Sequence, residues 1–303
     1  MKVDSFTWDL PAPRSVHDVQ MEDGTVVKLR RHGNPAGTRL VLSHGNGLAI
    51  DLYYPFWSLF TDEFDLFVYD LRNHGWNTIG SQNEHNLLSF VKDHDRILEV
   101  IDEEFGEKPK IGLFHSIAAL SSLLSNNHEK GLAARILFDP PIVIPDDCAE
   151  EYDKAARRST EIIQRRAERF NSIEECVDIF HYMPIFGRVV PGIINLFART
   201  TFRKSEDKGY YELRCPREYE AQVMYYARIF TLWVDLDKIP TPVKVIGADP
   251  TLPYSFLPTY NLGQIAAVDY DFLPDTTHFL QLEQPEECKA MVLEFLESHN
   301  LLH

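Results

Sequence analysis

Basic residues are scarce in this chain: 30 lysines and arginines stand against 46 aspartates and glutamates, a formal net charge of −16. Such an excess repels nucleic-acid backbones and anionic bilayers, so neither is expected as a partner. Long apolar runs are missing too. No stretch approaches the roughly 20 residues that span a bilayer, so no membrane span is expected. Met1 to Pro13 mix Asp, Lys and Pro with single apolar residues and lack the basic-then-apolar run of a secretory leader. Cysteine is sparse: Cys148, Cys176, Cys215 and Cys288 are scattered, without the close pairing of metal or redox motifs. With no export signal, reduced thiols in a cytoplasmic protein are expected. Repeats and low-complexity tracts are absent, which excludes a solenoid. There is no nucleotide-binding glycine motif and no metal-ligand cluster, so the expectation is no cofactor and no metal, with a small molecule as substrate.

What is present suits a globular protein. The chain has 303 residues, 44% of them hydrophobic, enough for one large domain with a substantial core. It opens as a β-hairpin, Ser15–Met21 and Thr25–Arg31 about a turn at Asp23-Gly24. Short apolar runs follow: Leu40–Leu42, Leu66–Tyr69, Ile111–Phe114, Ile136–Phe138 and Val243–Ile246, and then the strand-like Val268–Leu273. Between them lie helical segments such as Asn86–Phe105, with Leu87, Phe90, Val91, Ile97, Leu98 and Ile101 at helical spacing. Pro285–His299 closes the chain as an amphipathic helix opened by proline. Strands alternating with helices predict an α/β fold, a mostly parallel sheet flanked by helices.

One interval breaks the rhythm. From Pro140 to Pro240 no strand pattern stands out, and the text is helical, rich in Glu, Arg and Ala over Glu151–Phe170 and in aromatics over Tyr219–Val234. It is far longer than an ordinary connection. We read residues 1–139 and 241–303 as the core and 140–240 as a helical cap over the strand ends, where open α/β sheets bind ligands. Tyr182, Phe186, Phe197, Tyr225, Tyr226, Phe230 and Trp233 then line an apolar pocket or bury the cap against the sheet.

Chemistry-bearing residues gather after the strands. In His44-Gly45-Asn46-Gly47, small flexible residues let a backbone N–H point into a site, as an oxyanion hole requires. Asp70-Leu71-Arg72-Asn73-His74-Gly75 reads as a turn with a local salt bridge and no direct catalytic role. In Phe114-His115-Ser116-Ile117-Ala118-Ala119, a serine on a strand-turn-helix corner would expose its hydroxyl, with the Ile117 N–H aimed at a developing oxyanion. The same serine could simply cap the helix that follows. His278, in Asp275-Thr276-Thr277-His278-Phe279, supplies a base. Asp249, in Gly247-Ala248-Asp249, supplies an acid or an Asx turn into Pro250. A nucleophile, then an acid, then a base, each just after a strand, is the order of one hydrolase fold.

On these motifs the chain resembles the α/β-hydrolase family, in its capped, serine-esterase-like branch, over nearly its whole length. The resemblance implies Ser116 as nucleophile, His278 as general base, Asp249 as the group orienting His278, and Asn46 and Ile117 as oxyanion N–H donors. It departs from the pattern in three places. Phe114 stands two before the nucleophile, where a small residue is usual, and Asn73 stands where glycine is usual. Asp139, in Phe138-Asp139-Pro140-Pro141, also ends a strand and is the alternative acid; the chain order favours Asp249. The expected reaction is cleavage of a carboxylic ester, a hydrophobic acyl or aryl ester or a lactone, through an acyl-enzyme. The same triad also serves C–C bond hydrolases and lyases. Phe114 at the elbow speaks for a third reading, a non-catalytic ligand-binding homologue.

Overall fold

The computed structural model describes residues 6–125, 127, 131–142, 149–252 and 268–302; Met1–Ser5 and Cys148 lie outside them. In chain order the elements of the first half are β1 (Ser15–Gln20), β2 (Val26–Gly33), β3 (Arg39–Ser43), α1 (Tyr54–Trp57), β4 (Asp65–Tyr69), α2 (Leu87–Phe105), β5 (Lys110–His115), α3 (Ile117–Leu124) and β6 (Ala134–Phe138). Then come α4 (Ala149–Arg165), β7 (Arg169–Phe170), α5 (Ile173–Phe180), α6 (Ile193–Thr201), β8 (Phe202–Lys204), β9 (Tyr211–Leu213) and α7 (Arg217–Thr231). The chain returns to the sheet with β10 (Val243–Gly247) and β11 (Asp269–Phe272) and ends in α8 (Leu280–Glu283) and α9 (Pro285–Ser298).

Eight strands form the main sheet in the order β1-β2-β4-β3-β5-β6-β10-β11. The hairpin pairs β1 with β2 antiparallel, and β2 lies antiparallel to β4. Every later pair is parallel. The central strands are buried along their whole length, so successive side chains feed opposite cores. Leu40, Leu42, Leu66 and Val68 face one core with α9 and the aromatic residues of α5 and α6. Val41, Phe67 and Tyr69 face the other with α2 and α3. Helix α2 starts where Asn86 accepts the Ser89 N–H at 3.0 Å, an N-cap, and buries the side of the helix expected from its spacing.

The 140–240 interval corrects one expectation. It holds helices α4 to α7, but also a small antiparallel sheet, β7-β9-β8. These strands are two or three residues long, too short for a period-two pattern to show in sequence. The interval leaves after β6 and returns at β10, its neighbour in the sheet, so it inserts without disturbing strand order. Phe186 and Phe197 are buried in an aromatic cluster with Phe180, and Phe186 also meets Phe279 at 5.8 Å. Tyr182, Tyr225, Tyr226 and Trp233 are exposed. Among the described residues no helix is long and apolar enough to cross a membrane. Among them, too, Cys176, Cys215 and Cys288 are buried free thiols.

An unusual number of imidazoles lie inside the fold. Burial pushes His32 and His44 down to about 4, His74 and His94 to about 3 and His85 to about 2. In the unfolded chain these groups take up protons below about pH 6.5. The folded chain keeps them neutral, so between about 6.5 and 4 the unfolded state binds more protons and stability falls as pH falls. Each group contributes up to about 1.4 kcal/mol per pH unit in its window. Urea midpoints are expected to be level above pH 7 and to drop steeply from about pH 6.5 downward; a level profile to pH 5 would contradict neutral burial.

Candidate active site

Strand β5 delivers the serine. Ser116 follows its last residue and adopts φ 53°, ψ −118°, a conformation that a non-glycine residue holds only when its surroundings impose it. The Ser116 N–H donates to the Phe138 carbonyl at 3.0 Å, which ties the corner to the end of β6. The Ser116 hydroxyl lies 3.1 Å from His278 Nε2. The side chain makes no cap bond to α3, so the helix-cap alternative is not what the geometry shows.

Phe114 does not distort this corner. Its ring is fully buried and turns back along its own strand over Gly112, where a Cβ would stand 2.2 Å from the ring. The small residue that the corner needs has moved two positions upstream, on the same face of the strand. The far edge of the ring meets His94 at 5.0 Å between centroids. Ala118, two after the serine, is buried as expected.

His278 Nδ1 donates to a carboxylate, and it is that of Asp139, at 2.6 Å. The preference for Asp249 is thereby corrected in placement. Asp249 is engaged elsewhere: Oδ1 accepts from the Thr251 N–H and hydroxyl of its own loop at 2.9 and 2.6 Å, and Oδ2 from the Asp275 N–H of the loop after β11 at 2.9 Å. These bonds hold its carboxyl below the usual range. The physical reason for the exchange is strand order. Asp139 ends β6, which lies beside β5, whereas Asp249 follows β10, one strand further out. Asp139 takes φ 39° and is completely buried, with its other oxygen 3.3 Å from the Ala248 N–H.

The loops after β3 and β4 are cross-tied by two imidazoles. His44 Nδ1 donates to its neighbour's carbonyl at 2.7 Å, so Nε2 is free to accept the Leu71 N–H at 3.0 Å. In return His74, whose Nδ1 donates to the Arg72 carbonyl at 2.9 Å, accepts the Gly47 N–H at 3.0 Å. The Gly45 N–H reaches the Tyr53 hydroxyl at 3.4 Å. Of the N–H groups in Gly45-Asn46-Gly47, that of Asn46 is the one left without an acceptor among the described residues. Ile117, the first residue of α3, has no acceptor for its N–H among the described residues, for the general reason that helices begin with unpaired donors. Gly45 lies hard against the corner: a Cβ there would come 3.3 Å from Ser116 Cβ and 2.8 Å from His115 Nδ1. Only glycine permits that approach.

The segment Asp70–Gly75 does more than its expected local salt bridge. Buried Asp70 accepts from Ile50 and Trp76 N–H groups and from Arg30, and Arg72 pairs with Asp93. Three residues that sequence reasoning passed over also bear on the site. Tyr53 and His115 bond to each other at 2.7 Å, and Glu283 accepts from the Thr277 N–H and hydroxyl at 2.6 and 2.5 Å, just before His278. Tyr53 and Glu283 carry no local signal, because each acts only through residues distant in sequence or on the next turn. His74, His85 and Cys215 bring ligand-type atoms within 4.8 Å of one another. Both His74 nitrogens are already engaged, one by the Gly47 N–H, and we assign no metal there.

The α/β hydrolase family model matches residues 40–290, and the chain belongs to that family. No curated protein sequence matches it. Among solved structures, E-2-(acetamidomethylene)succinate hydrolase is 14% identical at a TM-score of 0.76, covering 93% of this chain and 99% of the other. The thioesterase domain from the curacin biosynthetic pathway is 15% identical at 0.69, covering 92% and 100%. A thermophilic esterase from Thermogutta terrifontis is 16% identical at 0.59, covering 94% and 98%. At these identities the likeness is one of fold.

The Gly112–Phe114 exchange can be tested by stability alone. Gly112→Ala forces the buried ring to move and is expected to cost about 1–3 kcal/mol, as overpacking does. In a Phe114→Ala background the same change should cost much less. Equal costs in the two backgrounds, from urea titrations, would show that the ring does not occupy the glycine's space.

Proposed function

We propose that this chain is a serine hydrolase that cleaves a carboxylic ester through an acyl-enzyme, with Ser116 as nucleophile, His278 as general base and Asp139 as the orienting acid. One observation carries the reading: an unbroken hydrogen-bonded line runs from Asp139 through His278 to a serine held at φ 53° on a strand-helix corner. Both His278 and Ser116 are partly accessible, while Asp139 is sealed off. That is the gradient the chemistry needs, since substrate meets the serine and water is kept from the acid.

In this mechanism His278 Nε2 takes the Ser116 proton as Oγ attacks the carbonyl carbon. Asp139 holds the imidazole with Nδ1 protonated and stabilises the imidazolium. The negative oxygen is received by the N–H groups of Asn46 and Ile117, the latter at the positive end of α3. Collapse expels the alcohol, which takes the proton back from His278. Water, activated by the same imidazole, then releases the acid. Asp249 has a different part: it clamps the loop that presents His278.

The 140–240 insertion is the cap of this site in the same reading. Its support is a direct bond: Asn46 Nδ2 donates to the Glu220 carbonyl of α7 at 2.8 Å, so the insertion rests on the oxyanion loop. On the insertion itself, a hollow of about 330 Å³ is lined by Thr160, Gln164, Ala221, Tyr225 and Tyr226 of α4 and α7, among others. Tyr226→Ala should shift preference among acyl chain lengths by about 1–3 kcal/mol, the worth of an apolar pocket contact. Unchanged selectivity across a chain-length series would remove Tyr226 from the pocket.

A fluorophosphonate probe tests the reading without knowledge of the substrate. The parent should be labelled, at Ser116, and Ser116→Ala should be folded and unlabelled. On any ester that the parent cleaves, Asp139→Asn should slow turnover by about 10⁴, as loss of the orienting acid does. Asp249→Asn should slow it far less. A larger fall in Asp249→Asn at equal stability would return the acid to Asp249.

A further inference from the structure

We propose that Tyr53 and His115 are positioning residues that lock the catalytic imidazole to the nucleophile strand and to the oxyanion loop at once. The proposal rests on the reading of Ser116 and His278 as nucleophile and base. Several bonds hold the loop that carries His278, and three of them are made by side chains near the catalytic residues. Asp249 takes the Asp275 N–H, Glu283 takes Thr277, and His115 Nε2 donates to the carbonyl of His278 itself at 2.8 Å. Only the third comes from β5, from the residue directly before Ser116. It therefore sets the distance between nucleophile and base through one side chain.

The direction of every bond follows from chemistry. The His278 carbonyl can only accept, so His115 carries its proton on Nε2. Its Nδ1 must then accept, and the donor is the Tyr53 hydroxyl at 2.7 Å. The Tyr53 oxygen in turn accepts the Gly45 N–H at 3.4 Å. One tautomer satisfies the whole line from the oxyanion loop to the base. All of it is buried, since Tyr53 and His115 are at most 2% exposed, so bulk water does not reach these bonds. Burial and the neighbouring His278 keep His115 well below its ordinary range, and the Tyr53 hydroxyl is pushed up by burial, so both stay neutral. A neutral His115 matters because its ring lies 4.5 Å from that of His278. A cation there would oppose the positive charge that His278 acquires when it deprotonates Ser116.

Without Tyr53, Nδ1 loses its donor and the tautomer is free to reverse. The reversed ring would turn a lone pair toward the His278 carbonyl and push the base away from Ser116. The amides provide a conservative pair. Glutamine places its amide near Nε2 and can still donate to the carbonyl; asparagine places its amide near Nδ1 and reaches only toward Tyr53.

The test has two arms on the full-length protein. Imidazole ¹⁵N spectra at neutral pH are expected to show His115 protonated on Nε2 and bare on Nδ1, a result that stands whether or not the chain hydrolyses anything. The opposite tautomer, or a charged ring, overturns the proposal. In the second arm, Tyr53→Phe, His115→Gln and His115→Asn are compared with the parent by the rate of fluorophosphonate capture and by kcat and KM on an aryl ester. Tyr53→Phe should lower kcat about tenfold, the worth of one hydrogen bond, with KM little changed. His115→Asn should fall by about 100-fold, the cost of a base displaced by an ångström, and His115→Gln should recover most of that loss at similar urea stability. Equal rates in the Gln and Asn variants, or a parent rate in Tyr53→Phe, overturn it. A parent that takes up no probe overturns the serine-hydrolase reading and is seen before any variant is compared.

Discussion

The active-site region depends on hydrogen bonds made by imidazoles that must remain neutral and in a single tautomer. His44 and His74 cross-tie the loops after β3 and β4, and each can do so only because its Nδ1 proton is spent on a backbone carbonyl. His115 adds the loop after β5 and the segment carrying His278. Backbone N–H and C=O groups at the ends of parallel strands would otherwise be buried without partners, at a cost of about 1–3 kcal/mol each. A histidine is suited to this because one ring both donates and accepts across a gap between loops. The same burial that makes these bonds strong makes the rings hard to protonate, so the architecture and the expected acid sensitivity have one origin.

The arrangement also explains how the chain tolerates departures from the family pattern. The corner at Ser116 is closely packed, and two glycines elsewhere make the room. Gly45 brings the loop after β3 against Ser116 Cβ, and Gly112 opens room for the ring of Phe114. A bulky residue two before Ser116 is therefore no sign that the corner is distorted. What matters is whether its volume has somewhere to go, and here the volume goes into the core shared with α2 and α3.

Much of this was legible in the sequence. The hairpin, the five apolar runs, the strand-like Val268–Leu273, the capped helix after Asn86 and the closing helix all lie within a residue or two of where their periodicity put them. The middle of the large sheet is readable because its strands β3, β4, β5, β6 and β10 are buried on both faces and so appear as continuous apolar runs. The small sheet β7-β9-β8 was not, since strands of two or three residues leave no period to detect. Within the aromatic set of the insertion, sequence could not separate Phe186 and Phe197, which fill its core, from Tyr225 and Tyr226, which stand exposed. Helical spacing marks a helix's faces, but what covers each face depends on other elements.

The sequence by itself determined the α/β order of elements and the presence of a serine, a histidine and candidate carboxylates at strand ends. Those properties are local: hydrophobic period, turn residues, and the position of a polar side chain just past an apolar run. Which carboxylate meets the histidine was decided only by the tertiary structure. Asp139 and Asp249 look alike in sequence, each an aspartate after an apolar strand and before a proline. They differ in which strand they follow and in what their oxygens already hold. β6 lies next to β5, and the backbone at Asp139 turns through φ 39° to aim its carboxylate at His278, while Asp249 is spent on Thr251 and Asp275. Strand neighbours and competing hydrogen bonds are properties of the assembled sheet, and no local pattern records them.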